Sequence, residues 1–459
     1  NARRVFKCAF IYVVSAGLVA GILTFAFAPV LVKEQPNAIL SLQILAPTIF
    51  LSGFLAIYRG YLQAYKTMIP TSISQIIEQI ANAVVSVLAA YLMSRPFAPG
   101  TSEHAKYGAA GSAMGTGAGV LCGIIYILIA YAGRRKEIME TVESDVSSNV
   151  ESYGKLFRQI VMIVTPIIIA AFVYNITTTV DMKIFYNVLN SKNVDRVESA
   201  NLYGIFSGQY MVLINLPVSI ASAVGTTLIP NISGAFTKGD KAETNHVYNQ
   251  SMSITMMVTI PCAAGIGVLS EPIITLLFRG ADPLVFKALT AGCISVVFYS
   301  LSTLTNSILQ GIGKVMEPVK NATLALLIHL VFLAAILKFT DAKLFGLVAA
   351  TILYSLLACI FNHISVSKYM STKLDVKKTY LAPAVASIFM GIVAWGSYQI
   401  FYLLIHMNSV SVALAILLAF IFYVAAILAV GGYTKEEILA MPKGNLILKL
   451  AEKLHLVRE

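Results

Sequence analysis

Runs of about 20 apolar residues, long enough to cross the ~30 Å hydrocarbon layer of a bilayer as a helix, recur along this chain. Twelve such segments lie at about 5–31, 38–57, 72–93, 107–132, 159–183, 203–228, 248–269, 284–309, 319–338, 344–366, 381–405 and 410–430. The pattern predicts an all-α polytopic membrane protein. Most of the connections are short and polar. The longest, 133–158, has basic ends and an acidic middle and predicts a surface helix plus linker on the cytoplasmic side.

The third span departs from a plain apolar run. In "IPTSISQIIEQIANAV" (Ile69 to Val84), Gln75, Glu78, Gln79, Asn82 and Ser86 fall within about a third of the helix circumference, with Ile73, Ile76, Ile77, Ile80 and Val84 opposite. A carboxylate facing lipid at mid-depth costs at least about 2.5–3.5 kcal/mol, so this face is expected to turn inward. It then forms either the wall of a solvated cavity or a helix–helix hydrogen-bonding surface. The fifth span carries "YNITTTVDMKIF", placing Tyr174, Thr177, Thr178 and Asp181 at helical spacings with Lys183 just beyond. An acid within a span is a candidate functional group. Asn175, Gln209, Asn215, Asn306, Asn321, His329, Asn362 and His363 are scattered over several spans and read individually as satisfied bundle residues. Gly111, Gly115 and Gly119 give the fourth span two small-xxx-small spacings, suited to close approach of a neighbouring helix.

The two halves echo each other. "YLQAYKTMIP" (Tyr61 to Pro70) matches "ILQGIGKVMEP" (Ile308 to Pro318), "FAPVLV" closing the first span matches "SEPIIT" closing the seventh, and "YGAAGSA" matches "FGLVAAT". Pro29/Pro272, Pro70/Pro318 and Gly108/Gly346 are offset by 243, 248 and 238 residues, and each pair joins spans six apart. Six being even, the copies share one orientation and form parallel repeats. In this register the first copy has four spans and the second six. Together with Asn1 in place of an initiator Met, this gives the expectation of two further helices upstream, fourteen in the intact protein. The domains expected are an N-lobe at 1–132, the linker at 133–158, a C-lobe at 159–366, two additional spans at 367–430 and a cytoplasmic amphipathic tail at 431–459.

Composition agrees, with 58% of 459 residues hydrophobic and 12% charged. The net charge of +11 is spread along the connections, which argues against nucleic acid and for membrane orientation. If the N-terminus is cytoplasmic, 23 of the 33 Lys and Arg fall on the cytoplasmic side, so both termini are expected inside. The tail, with Leu446, Leu450, Leu454 and Val457 on one side of a basic helix, suits either anionic lipid or packing on the protein. Five cysteines without C-x-x-C spacing indicate neither a disulfide framework nor a zinc site, and no cofactor is implied. No nucleotide-binding or hydrolase motif occurs, so the chain is read as a transporter and not an enzyme. Two parallel six-helix copies with polar inner faces suit alternating access.

Several long stretches also carry a family resemblance. "YRGYLQAYKTMIPTSISQIIEQIANAV", "LYGIFSGQYMVLINLPVSIASAVGTTLIPNISGAF", "IPCAAGIGVLSEPIITLLF" and "SILQGIGKVMEPVKNATLAL" are similar to the stage V sporulation protein B and lipid II flippase branch of the multidrug, oligosaccharidyl-lipid and polysaccharide exporter superfamily. The resemblance implies a fourteen-helix flippase of the bacterial inner membrane that moves an undecaprenyl-pyrophosphate-linked saccharide outward. It also implies cationic and hydrogen-bonding groups for the headgroup. Much of that charge lies on the first two helices of related lipid II flippases. Here Arg59 and Lys183 become expected headgroup contacts, with Arg59 and Lys66 as positive-inside anchors the other reading. Gln75, Glu78, Gln79 and Asn82 become partners for sugar or peptide, or an ion or proton site, and Asp181 a further cavity residue. A coupling cation or proton and a monomeric state complete the expectation. The competing readings are a cation-coupled multidrug and toxin exporter and a non-transporting membrane scaffold.

Overall fold

The computed structural model describes residues 2–33, 35–64, 69–143, 151–278, 280–370 and 374–430. Among them every regular element is helical and no strand occurs. Lys66, the linker middle at 144–150, the side chain of Tyr174 and the tail at 431–459 lie outside the described residues. Among the described residues ten helices are long and apolar enough to cross a membrane, or eleven if one bent pair counts as a single span. The segment expected at 159–183 is helical as well, but several of its side chains lie outside the described residues.

The chain divides into two compact units between Thr165 and Pro166. The first contains α1 (Ala2–Leu31), α2 (Ile39–Ala64), α3 (Ile69–Ser94), α4 (Ser102–Glu143) and the start of α5 (Tyr153–Ser191). Leu55 and Leu62 of α2 pack with Val120, Ile124 and Ile127 of α4 as its apolar core. At about 1.5 Å per residue, α4 is roughly twice as long as a bilayer core is thick. The surface helix expected after 133 is therefore a continuation of α4 as far as Glu143.

The glycines expected to bring two helices close do so between α3 and α4. A Cβ on Gly115 would overlap Ser86 Oγ and stand 2.7 Å from the Asn82 carbonyl oxygen, and one on Gly119 would stand 2.6 Å from that of Glu78. Without side chains there, the backbones approach closely enough for Ser86 Oγ to donate across the seam to the Ser112 carbonyl at 2.9 Å.

The second unit continues with α6 (Arg196–Ile205), a π-helical turn at Phe206–Tyr210, and α7 (Met211–Thr237), which together make one long span. There follow α8 (Lys241–Val268), α9 (Ser270–Leu277), α10 (Pro283–Gly292), α11 (Ser295–Gly311), α12 (Met316–Phe339) and α13 (Lys343–Tyr369). A second π-helical turn at Lys377–Leu381 leads into α14 (Ala382–Ile405) and α15 (Asn408–Ala429). Asp195, Asp240 and Asp282 cap α6, α8 and α10, each side chain accepting from a backbone N–H of the first turn. The expected eighth span is the pair α10 and α11, bent by 51°. Opposite the bend, Gly292 leaves room for the Tyr210 ring, whose hydroxyl lies 3.3 Å from the Gly292 carbonyl oxygen and 3.2 Å from Ser295 Oγ. α14 and α15 pack as a hairpin beside α8, where Tyr423 donates to the Met257 carbonyl at 2.7 Å.

Within the first unit α1 packs on α2, α2 on α4 and α3 on α4; within the second α8 packs on α11, α11 on α13 and α12 on α13. The matching stretches of sequence thus sit in the same packing order in both units.

Candidate functional site

Three polar clusters lie among the apolar spans. In the first unit Arg59 reaches from α2 to α3, its Nη2 2.7 Å from Glu78 Oε2. Arg59 Nε and Nη2 also donate to Ser74 Oγ at 3.1 and 2.7 Å, and that hydroxyl donates to the Gly123 carbonyl on α4 at 3.3 Å. Ser74 and Glu78 are one turn apart on the same stripe of α3, so one guanidinium fork meets both. Their side chains are largely withdrawn from solvent, at 15% exposure for Arg59 and 21% for Glu78.

The polar face expected on α3 divides in two. Glu78 is turned to Arg59, and the Asn82 side chain lies 2.9 Å from Ser86 Oγ beside the α4 seam, whereas Gln75 and Gln79 are exposed. Position on the wheel alone does not make the division, because Ser86, which meets α4, lies between the exposed Gln75 and Gln79 on the arc.

The second cluster is in the second unit. Asp181 of α5 and His329 of α12 are both buried, with His329 Nε2 2.7 Å from Asp181 Oδ1 and His329 Nδ1 2.8 Å from the Ala350 carbonyl oxygen of α13. The Tyr354 ring stands edge-on to the imidazole, centroids 5.6 Å apart. The pair lines a cavity of about 430 Å³ whose other walls include Thr178, Phe206, Ser207, Asn215 and Thr351. Lys183, two residues along α5, is exposed and does not line it.

The third cluster joins amides that looked scattered in the sequence. Asn362 of α13 donates to Asn306 Oδ1 of α11 at 2.7 Å and accepts from Asn321 Nδ2 of α12 at 2.9 Å, and Asn321 also donates to Ser365 Oγ at 2.8 Å. Asn306, Asn321 and Asn362 follow Arg59, Ser74 and Gly123 by 247, 247 and 239 residues, close to the offsets of the repeat. The position of Arg59 thus holds a neutral amide in the second unit, and that of its partner Glu78, carried forward by the same 247 residues, holds Ala325. Replacing Asn362 by leucine removes one hydrogen bond from each of Asn306 and Asn321 and is expected to cost about 1–2 kcal/mol, read as a lower melting midpoint in detergent.

A polytopic helical chain that buries charged and amide clusters within its spans has the organisation of a membrane transporter. Solved structures share the fold. A lipid II flippase MurJ in an inward closed conformation aligns with a TM-score of 0.59 at 20% identity, over 91% of this chain and 82% of that one. An inward-facing multidrug transporter of the MATE family and MOP superfamily aligns at 0.58 and 14% identity, over 78% and 80%. The family model "Lipid II flippase MurJ" matches residues 4–401, and the chain belongs to that family. The lipid II flippase MurJ of Bacillus subtilis (strain 168) is 24% identical over 420 residues, 86% of this chain and 75% of the relative. Stage V sporulation protein B of the same organism is 20% identical over 365 residues, 79% and 68%. The branch expected from the sequence motifs is the one found.

Proposed function

We propose that this protein carries lipid II outward across the bacterial inner membrane by alternating access, as a monomer with both termini in the cytoplasm. The observation that carries this reading is the lipid II flippase family match over residues 4–401 of a chain built of membrane-length helices. The cargo is a prenyl pyrophosphate bearing a polar saccharide and peptide. Its tail can stay in lipid; its headgroup needs cations and hydrogen-bonding groups.

In this reading Arg59 meets the pyrophosphate by exchange. The guanidinium already holds a carboxylate, and a phosphate oxygen offers the same acceptor geometry with more charge. Glu78 keeps the arginine paired within the membrane between cycles and accepts from the sugar or peptide once released. The exposed amides of Gln75 and Gln79, with Asn82, supply further neutral hydrogen bonds, and Lys183 supplies a second cation. The cycle is driven by an ion gradient, by the membrane potential at about 2.3 kcal/mol per charge per 100 mV, or by consumption of lipid II outside.

Depletion of the protein in its own host tests this. Lipid II accessible from outside should fall while the total pool rises; unchanged external lipid II with normal wall growth would contradict the proposal.

A further inference from the structure

The contacts of His329 fix how many protons it shares with Asp181. His329 Nδ1 lies 2.8 Å from the Ala350 carbonyl, which can only accept, so Nδ1 carries a hydrogen. A neutral imidazole would then present a bare lone pair at Nε2. That lone pair would face an ionised carboxylate oxygen at 2.7 Å, acceptor against acceptor. A second proton must lie between Nε2 and Oδ1, whether the pair is written as imidazolium and carboxylate or as imidazole and carboxylic acid. The two residues together therefore hold one dissociable proton at zero net charge.

We propose that Asp181 and His329 form a proton-binding site of the second unit, whose release and uptake of this proton are linked to transport. The linkage rests on the transport reading above; the proton site does not. On release, the proton leaves to water in the cavity, His329 remains neutral with its Nδ1–H on Ala350, and Asp181 is left as a bare carboxylate. The local charge changes from zero to minus one.

Three observations support a dissociable proton over a static bundle contact. The pair does not lie in a sealed core: it borders a 430 Å³ cavity, with Asn175, Thr178, Ser207 and Asn215 exposed along its walls, so polar groups lead to it. The charge change is uncompensated, because no Lys or Arg among the described residues lines the cavity. The ionisable groups around the pair are phenols: Tyr203 from α6, whose hydroxyl donates to the Thr178 carbonyl, Tyr299 from α11 and Tyr354 from α13, while α7 contributes only Met211 and Asn215. A bare carboxylate there is costly and favours a rearrangement that solvates it. Finally, Phe206 and Ser207, which line the same cavity, belong to a π-helical turn, a local backbone irregularity often found where helices carry function.

A proton suits the histidine–carboxylate pair better than a transition-metal ion. Among the described residues no group of three or more His, Cys, Asp and Glu gathers anywhere, and here the single carboxylate is already committed to an imidazole.

The test uses purified full-length protein in lipid vesicles, with protons as the probe. Infrared spectra recorded across a pH series without lipid II should show one carboxyl band moving, from the acid or the imidazolium-paired carboxylate to the bare carboxylate, in the wild type and none in Asp181→Asn. That variant is chosen because its amide can donate to His329 Nε2 and keep the packing. Histidine ¹⁵N resonances of the wild type should shift over the same pH interval, which checks the site without any substitution. In a second arm, fluorescent lipid II is flipped under imposed pH gradients. Reversing the gradient should change the wild-type rate by about fivefold or more and leave Asp181→Asn unresponsive. A carboxyl signal that survives Asp181→Asn, or one that sodium moves and pH does not, overturns the proton site. A pH-dependent carboxyl signal with no flipping by the wild type upholds the site and rejects the transport reading. Flipping that is equally responsive in Asp181→Asn rejects the linkage.

Discussion

Arg59→Met is expected to lower stability by about 3 kcal/mol, whereas the double substitution Arg59→Met, Glu78→Met should recover most of the loss. The single change leaves the Glu78 carboxylate inside the bundle without its ion-pair partner, and an uncompensated charge in a largely buried site costs several kcal/mol. Removing both charges removes the penalty together with the attraction and leaves side chains of similar length. Melting midpoints of the wild type, both single variants and the double variant in one detergent complete the cycle. Transport should separate the two roles of Arg59. If it meets the pyrophosphate, the double variant is stable but flips lipid II at least about tenfold more slowly, since a charge-assisted hydrogen bond contributes about 1.5–3 kcal/mol. A stable double variant that flips at the wild-type rate would reduce Arg59 to a structural partner of Glu78.

Gly115→Val should destabilise the first unit by a further route, wedging α3 away from α4. The added Cβ would overlap Ser86 Oγ and stand 2.5 Å from the Ser86 backbone nitrogen, which cannot rotate away. Overpacking of this kind costs about 1–3 kcal/mol. Because the same seam aligns Asn82 and Glu78, the shift should weaken the Arg59 pair as well. Gly111 meets α3 one turn earlier, where a Cβ would stand 2.5 Å from the Ala89 carbonyl carbon, so Gly111→Val should act in the same direction. Gly108→Val is the control, because a Cβ there would be 3.6 Å from Ser94 Cβ, an ordinary contact. A melting midpoint for Gly115→Val equal to that of Gly108→Val would refute the proposed closeness of the seam.

The sequence exposes some of this architecture and hides the rest for definable reasons. Long apolar runs reveal the spans because lipid leaves the backbone no partner but itself. They mark the bilayer, however, and not the helix: α4 continues to Glu143 well beyond the apolar run, since helical hydrogen bonding persists in water. The bend between α10 and α11 gives only a weak sequence signal, Gly292 and Ser295 beside the break and no proline at Cys293 or Ile294. The glycine spacings announce a close seam without naming α3 as its partner. For the polar clusters the obstacle is sequence separation. A helical wheel places Glu78 correctly on an inward face, yet it cannot tell which residues along a polar arc a neighbouring helix will cover, and so it groups Gln75 and Gln79 with Glu78. Asp181 and His329 are 148 residues apart, and His329 alone looks like any bundle histidine. A usable signal for the amide cluster does exist in the repeat: carrying Arg59 and Ser74 forward by 248 and Gly123 by 238 lands within one residue of Asn306, Asn321 and Asn362.

The most direct measurement reconstitutes the purified protein in vesicles that hold fluorescent lipid II in both leaflets and adds a membrane-impermeant quencher outside. Protein-free vesicles should retain about half the signal, while vesicles containing the protein should lose most of it as inner-leaflet lipid II is carried out. Equal retention in the two would contradict lipid II translocation by this chain.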